Sequence, residues 1–460
     1  MKREWTWVVA VAATTALAAC NDGKRDGGTS SSKVYYGPGS TGAGVGSFSG
    51  GGLGLGSFTP GPDLDAPRGQ AAATLLNDGR VLITGGFDGQ AILAGSEVFD
   101  PAQNSWTPVE QLAPTPDQGR MMITDNAGSF ASVRRHHTAV TLLDGRVLVA
   151  GGHGMERRRN GQQVLEALET AFLFDPGTHT FTQVDSLSEN RFLHQGVALT
   201  DGRAIVEGGV GLPTPQVLSL TTLEVFDPVS GKWTQHQVSP RSSGVGVTIP
   251  GKGALFYGGG DVIDYVSPQM RALVVMNFNG QPAEVFEAPV DRVRAASSTF
   301  STPRMDVGGV MTTSQFAFFA GGRKEDPTNR PPLVLDDRLV YDLTPGTPTL
   351  EVLDTTERYD VATDTFLPGP TLQKRRWGAR CVELGRTSDV LVVGGVDENN
   401  DLLASCEVYS VRYDSIIGTV DLLTPRHQFQ ALTLNDGRVM VIGGLDASAM
   451  GLGSTEFHAR

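Results

Sequence analysis

The sequence is poor in cysteine, with three in 460 residues, and poor in charge, with Asp, Glu, Lys and Arg at 19%. Positive charge is the scarcer sign: 37 Lys and Arg stand against 50 Asp and Glu, a formal net charge of −13. A general nucleic-acid binder carries a basic face, so the balance argues against that class. There is no Gly-X-Y period, which excludes a collagen-like rod, and an apolar content of 39% is too high for wholesale disorder. No stretch from 57 to 460 is long and apolar enough to span a bilayer. What the chain has in excess is glycine, 58 residues of it. Inside a helix each glycine costs roughly 1 kcal/mol relative to alanine, so a helix bundle fits poorly. An all-β protein with many tight turns fits well.

The first residues read as an address. Lys2 and Arg3 precede the apolar run Trp5 to Ala16, which is too short for a typical membrane span and suits a secretory signal. Leu17-Ala18-Ala19-Cys20 resembles the bacterial lipobox, in which the cysteine is acylated and becomes the mature N-terminus. The resemblance implies a signal peptide over 1–19, lipidation at Cys20 and a place in the cell envelope, periplasmic or at the cell surface. Acyl chains at Cys20 would make the membrane a partner. Residues 21–56 hold 13 glycines in 36 positions, the composition of a flexible tether, so the lipidated cysteine and tether span 20–56 and the folded body 57–460.

The body repeats. A double glycine closes an apolar run at Gly85-Gly86, Gly151-Gly152, Gly208-Gly209, Gly258-Gly259, Gly321-Gly322, Gly394-Gly395 and Gly443-Gly444. Arg68, Arg134, Arg191, Arg241, Arg304 and Arg426 each lie 17 residues before the first glycine, and Arg376 lies 18 before Gly394. Four units share Asp-Gly-Arg seven residues before the pair, at Asp78, Asp144, Asp201 and Asp436. Asp-Gly is a strong signal for a two-residue hairpin turn, so each unit opens with strand a, a tight turn and strand b. Phe99, Phe174, Phe226 and Tyr359 are each followed seven residues later by Trp or Phe, which marks a second hairpin, strands c and d. Seven units of four antiparallel strands predict a seven-bladed β-propeller.

Double glycine, then Glu-Val-Phe-Asp-Pro and a spaced Trp, resembles the Kelch repeat, and the Asp-Gly-Arg-Val form is most similar to the blades of the galactose oxidase propeller. The last unit stops after a c-strand near Phe457, while Phe58-Thr59-Pro60-Gly61-Pro62-Asp63-Leu64 matches Phe366-Leu367-Pro368-Gly369-Pro370-Thr371-Leu372. Residues near 57–60 are therefore expected to supply strand d of the last blade and close the ring. In blade four, RALVVMNF reads as strand c and AEVFEA as strand d. In blade five, residues 333–353 read as an extra hairpin, LVLDDRLVYDL with TLEVLD.

Binding is expected where the chain varies. The a–b turns are short and alike, whereas the gap from the second glycine to the strand-c aromatic is 13 residues in blade one, 22 in blade two and 37 in blade five. The d–a connection over 110–133 is also long. Both kinds of connection leave on one face, which makes that face, around the channel mouth, the candidate binding surface. The seven arginines would ring the mouth, either in pairs with Glu97, Glu224, Glu357, Glu407 and Glu456 or facing an anionic ligand. His136, His137, His153 and His194 fall in the same region and raise the question of a metal. The resemblance implies instead that a histidine three residues after the arginine, as His137 and His194 are, serves packing, and no metal or cofactor is assigned. Arg157-Arg158-Arg159 is a solvated loop or an anion-binding one.

Galactose oxidase places its copper-binding tyrosines, its histidine and its cross-linked cysteine just after such arginines. Here those positions hold Gln70 and Ala71, His136 and His137, Leu193 and His194, Ser243 and Gly244, Asp306 and Val307, Gly378 and Ala379, Gln428 and Phe429. None is tyrosine or cysteine, and with the chain stopping inside blade seven that enzyme's C-terminal domain is expected to be missing, so the resemblance is not expected to carry the oxidase activity. Cys381 and Cys406 fall two strands apart, about 9.6 Å, beyond the reach of a disulfide, and are predicted to be free buried thiols. A monomeric binding or scaffold module for a protein or glycan is the first reading. The second is a sugar mutarotase or epimerase, implied by the Kelch resemblance, with Asp306 as its weak catalytic candidate.

Overall fold

The apolar runs ahead of the double glycines are all strands, and apart from Phe316 all of their residues are buried. The structure is a computed structural model. It describes residues 54–109, 123–124, 130–131, 133–157, 163–211, 218–265, 273–277, 282–299, 302–312, 316–325, 333–334, 350–385 and 387–460. The chain divides into two units, Met1–Ser49 and Gly50–Arg460, the first of which, with Cys20, lies outside the described residues.

Seven four-stranded antiparallel sheets follow one another in chain order, each running a-b-c-d from the axis outwards. The innermost strands are Ala72–Leu75, Thr138–Thr141, Gln195–Ala198, Val245–Ile249, Gly308–Met311, Arg380–Glu383 and Gln430–Thr433, and each neighbours the next round a closed circle. No described helix exceeds the single 3-10 turn Ala288–Val290, and none is long and apolar enough to cross a membrane. This is the all-β, seven-bladed propeller predicted from the repeat.

Strand b is buried on both faces because the sheets stack. Leu148, Ala150 and Leu173 of blade two pack on Ala204, Val206 and Phe226 of blade three, and the same seam recurs round the ring. The seven-residue aromatic spacing is the register of the outer hairpin: Phe99 pairs with Trp106, Phe174 with Phe181, Phe226 with Trp233 and Tyr359 with Phe366. Ring closure is as read. Ser57–Pro60 pairs with Thr455–Ala459, setting Pro60 opposite Glu456 as Pro368 stands opposite Glu357.

Two strand assignments are corrected. In blade four, strand c is Glu284–Glu287 and strand d is Arg292–Ala295. The run RALVVMNF contributes Leu273–Asn277, which pairs with Asp261–Tyr265 outside the blade. The aromatic rule had the answer in weakened form: Val293 stands seven residues after Phe286 and pairs with it. In blade five, the arms of the extra hairpin are Arg323–Glu325 and Leu350–Val352. Leu333–Val334 pairs instead with Leu273–Asn277, and Leu218–Ser219 of blade three joins the same five-stranded sheet. The b–c connections of blades three, four and five are thus woven together.

Candidate functional site

Each blade is locked by the arginine that precedes strand a. In all seven, its Nη1 donates to the carbonyl of the first glycine of the pair, at 2.7–3.4 Å. In six, Nη2 pairs with a strand-c glutamate at 2.5–3.2 Å: Glu97, Glu224, Glu284, Glu357, Glu407 and Glu456. Those carboxylates also accept backbone N–H groups from the d–a connection, such as Gln373 and Lys374 at Glu407. One ion pair therefore ties the exit of strand b, the start of strand c and the entry to strand a. Glu284 belongs to this set and was missed because strand c of blade four was misplaced.

Blade two lacks the glutamate. Phe172 stands there, with the Arg134 guanidinium 5.0 Å from its ring centre, and burial lowers the Arg134 pKa to about 9. All seven arginines are at most 2% exposed, and none lines the central cavity. As candidates for a ring facing a ligand, Arg68, Arg134, Arg191, Arg241, Arg304, Arg376 and Arg426 are therefore corrected. They face into the blades.

Removing one side of a fully buried pair strands the other charge, at about 3–5 kcal/mol. Arg376→Met is expected to lose that much stability in urea denaturation, and Glu407→Gln a comparable amount, because it leaves the buried Arg376 unpaired and turns an amide NH2 towards the N–H of Gln373 or Lys374. A loss below about 1 kcal/mol for Arg376→Met would refute the lock.

The Asp-Gly-Arg turns are spent on structure in the same way. Asp78 accepts from the backbone N–H and the guanidinium of Arg80, whose Nη2 reaches the Pro176 carbonyl on the next blade at 2.8 Å. Arg146 does this to Pro228, and Arg203 to Ala288. The a–b/c–d face is thus clamped blade to blade.

The other end of the axis is open. A central cavity of about 490 Å³ is lined by the first residues of the seven inner strands. Its rim is a ring of residues two after each arginine: Gln70, His136, Leu193, Ser243, Asp306, Gly378 and Gln428. All seven are left-handed, with φ between 52° and 65°. For the six that are not glycine this conformation costs about 1–2 kcal/mol each. Blade-to-blade hydrogen bonds of 2.8–3.2 Å hold it, running from the N–H of Gln70, His136, Leu193, Ser243, Asp306 and Gly378 to the carbonyl of the preceding rim residue. Strain of this kind gathers at functional sites, and here all seven left-handed residues lie in the cavity lining.

The four candidate histidines are not brought together. His137 Nε2 meets Thr84 Oγ1 at 2.7 Å and His194 Nε2 the Ala150 carbonyl at 3.2 Å, so both rings pack on the preceding blade, as the Kelch resemblance implied. A Cβ on Gly85 would lie 2.8 Å from the His137 ring, which is one reason glycine stands there. His153 is buried and stacks on Phe192 at 4.8 Å. Burial, with nearby arginine charge, lowers His153 and His194 to about 3 and holds His136 and His137 well below the usual range. Only His136 is on the rim. Asp306 is on it too, with Arg323 bound to its Oδ2 through Nε at 3.0 Å and Nη2 at 2.5 Å, and Arg323 lies 3.9 Å from the Trp377 ring. Arg157 ends the strand His153–Arg157, whereas Arg158, Arg159 and most of the 110–133 connection lie outside the described residues. Cys381 and Cys406 are free, as predicted, and burial pushes both thiols up to about 12.

A Kelch motif matches residues 69–112. The chain is 26% identical to beta-scruin of Limulus polyphemus over 202 residues, 43% of this chain and 19% of that protein. It is 24% identical to galactose oxidase of Gibberella zeae over 323 residues, 56% of this chain and 45% of that one. The chain thus spans less than half the length of these relatives. A solved fungal alcohol oxidase in complex with copper superposes with a TM-score of 0.56 at 13% identity, covering 88% of this chain and 76% of that one, which is likeness of fold. The copper of that protein does not fit the residues here. The rim offers one imidazole, one ion-paired carboxylate and amides, while His137 and His194 are turned away to the preceding blade.

Proposed function

Taking as premise that the chain is a Kelch propeller resembling galactose oxidase, we propose that it is an extracytoplasmic, lipid-anchored binding or scaffold module whose ligand, a protein or a glycan, docks on the b–c/d–a face. Kelch propellers are commonly protein-binding scaffolds. The observation that carries the reading is the asymmetry of the two faces. The a–b/c–d face is consumed by the blade-to-blade arginine clamps. The opposite face carries the channel mouth and a five-stranded sheet contributed by three blades. The lipobox resemblance at Leu17 to Cys20 and the glycine-rich segment after it support anchoring to the cell envelope, away from the cytoplasm.

The second reading, a mutarotase- or epimerase-like enzyme, is favoured by one observation, that Asp306 lines the central cavity. Against it, a single Asp306 oxygen already receives two Arg323 donors. Fatty-acid labelling should mark the wild-type chain and not Cys20→Ser. On a glycan array and in envelope cross-linking, exchanging the b–c connection of blade five for a short turn should abolish capture, and Asp306→Asn should leave it unchanged. Sugar anomer exchange lost specifically in Asp306→Asn would establish the enzyme instead.

A further inference from the structure

Behind the rim lies a positive charge that no described carboxylate neutralises. Arg135 is 3% exposed, and burial lowers its pKa to about 10. Among the described residues no carboxylate pairs with it. Its guanidinium lies 5.1 Å from the centre of the Phe87 ring, Nη1 donates to Gln70 Oε1 at 3.1 Å, and Nε has no partner. A buried guanidinium is costly unless paired and hydrogen-bonded. Arg68, Arg191, Arg241, Arg304, Arg376 and Arg426, equally buried, each have a strand-c carboxylate.

The charge is passed to the cavity wall. A guanidinium only donates, so Arg135 fixes which end of the Gln70 amide is oxygen. Gln70 Nε2 must then donate, and it does, to Gln428 Oε1 at 2.7 Å. That leaves Gln428 Nε2 as the end of the relay, buried and without an acceptor. His136, next along the rim, also has Nε2 unpartnered. Gln70, Gln428 and His136 all line the cavity, together with the exposed Arg380 of blade six. On this side of the mouth Gln428 Nε2 is a donor, Arg380 a cation, and His136 a second donor in its Nε2–H tautomer. The one rim carboxylate, Asp306, is taken by Arg323.

We propose that the mouth between blades seven, one and two is an oxyanion site, which takes the carboxylate or phosphate group of a small molecule or of a glycan end on Gln428 Nε2 and His136, with Arg135 as the charge behind them. Hydrogen bonds polarised in series from a cation are stronger than isolated amide donors, and the buried setting screens them little. The cavity volume of about 490 Å³ is right for a ligand of one or two sugar rings. The site does not depend on what the outer loops bind.

The test uses the full chain in detergent. Acetate, glucuronate, inorganic phosphate and sulfate are compared with chloride at equal ionic strength by calorimetry and thermal unfolding, and glucose serves as the neutral partner of glucuronate. At least one oxyanion should bind and raise the Tm, and glucuronate should exceed glucose at least about tenfold, equivalent to 1.4 kcal/mol. Selective binding of phosphate or sulfate would identify a phosphorylated or sulfated ligand, and selective binding of glucuronate a uronate. Arg135→Met should abolish the preference. Because that variant empties a buried position, Gln428→Glu is the second arm. It supplies the missing carboxylate from the chain itself, so it should raise the Tm without ligand by about 3 °C or more and eliminate oxyanion binding. No oxyanion exceeding chloride, binding that survives Gln428→Glu, or a Tm lowered by Gln428→Glu would overturn the proposal.

Discussion

Lowering the pH from about 7 to about 5 is expected to remove most of the propeller's stability. Five histidines in the inner wall are held neutral. Burial, with nearby arginine charge, puts His136 and His137 well below the ordinary value and His153 and His194 at about 3. Burial, partly offset by Asp446, puts His427 at about 4. In the unfolded chain each takes a proton near pH 6.5, at about 1.4 kcal/mol per pH unit. Their contribution is complete above that pH and is lost as pH falls towards the folded values. One carboxylate runs the other way. Glu207 is fully buried and shares Arg241 with Glu284, and burial, together with the Glu284 charge, raises it to about 7. Its contribution is complete below about pH 4.5 and is lost as pH rises through 7.

The net rises to about four protons taken up on acid unfolding near pH 5, so the slope is small at pH 7 and grows to about 5 kcal/mol per pH unit, against a total stability of about 5–15 kcal/mol. Urea denaturation followed by tryptophan fluorescence at several pH values measures the slope directly. His194→Gln keeps a donor for the Ala150 carbonyl and should remove one proton from it. An unfolding free energy constant within about 1 kcal/mol between pH 7 and 5 would contradict the argument.

These histidines show where sequence reasoning stops. The repeat made the blades, their number and the closing strand legible, because Asp-Gly turns, double glycines and the Phe-to-Trp interval are local signals repeated at fixed spacing. Blade four was misread for a physical reason. RALVVMNF is apolar and β-rich like a strand c, and Val293 in place of an aromatic hid the true pair. The woven sheet of b–c segments joins Leu218 to Ile263 and Leu273 to Val334, 45 and 61 residues apart, which no periodicity reports. The rim positions were found by counting from the arginines, but their left-handed backbone has no sequence signature beyond the single Gly378. The direction in which the arginines face is decided by strand-c glutamates, five of which had been noticed, yet a spacing cannot separate an inward pair from an outward ring. Arg135 was passed over because it stands beside the repeated Arg134.

Removing residues 1–64 is expected to lower the Tm by about 10 °C or more relative to removing residues 1–53, and to leave a protein that self-associates. The difference is eleven residues, but they touch both seams of the last blade. Phe58 packs among Val408, Leu422 and Val441 at the junction with blade six. Leu64 packs with Ala71, Phe99 and Phe457 at the junction with blade one. Burying two such side chains contributes about 3–6 kcal/mol. Between them, the Gly61 N–H donates to the Thr455 carbonyl at 2.9 Å, the Leu64 N–H to Gly453 at 2.8 Å, and Thr455 Oγ1 to Pro62 at 2.6 Å. Without the strand, Thr455–Ala459 becomes an open edge, and an open edge recruits other strands. A peptide of residues 54–64 added in trans should therefore restore part of the lost Tm to the 65–460 chain, and a peptide with Phe58→Ser should not. Equal melting of the two truncations would mean that the ring holds without its closing strand, and that the seams between inner strands carry the stability alone.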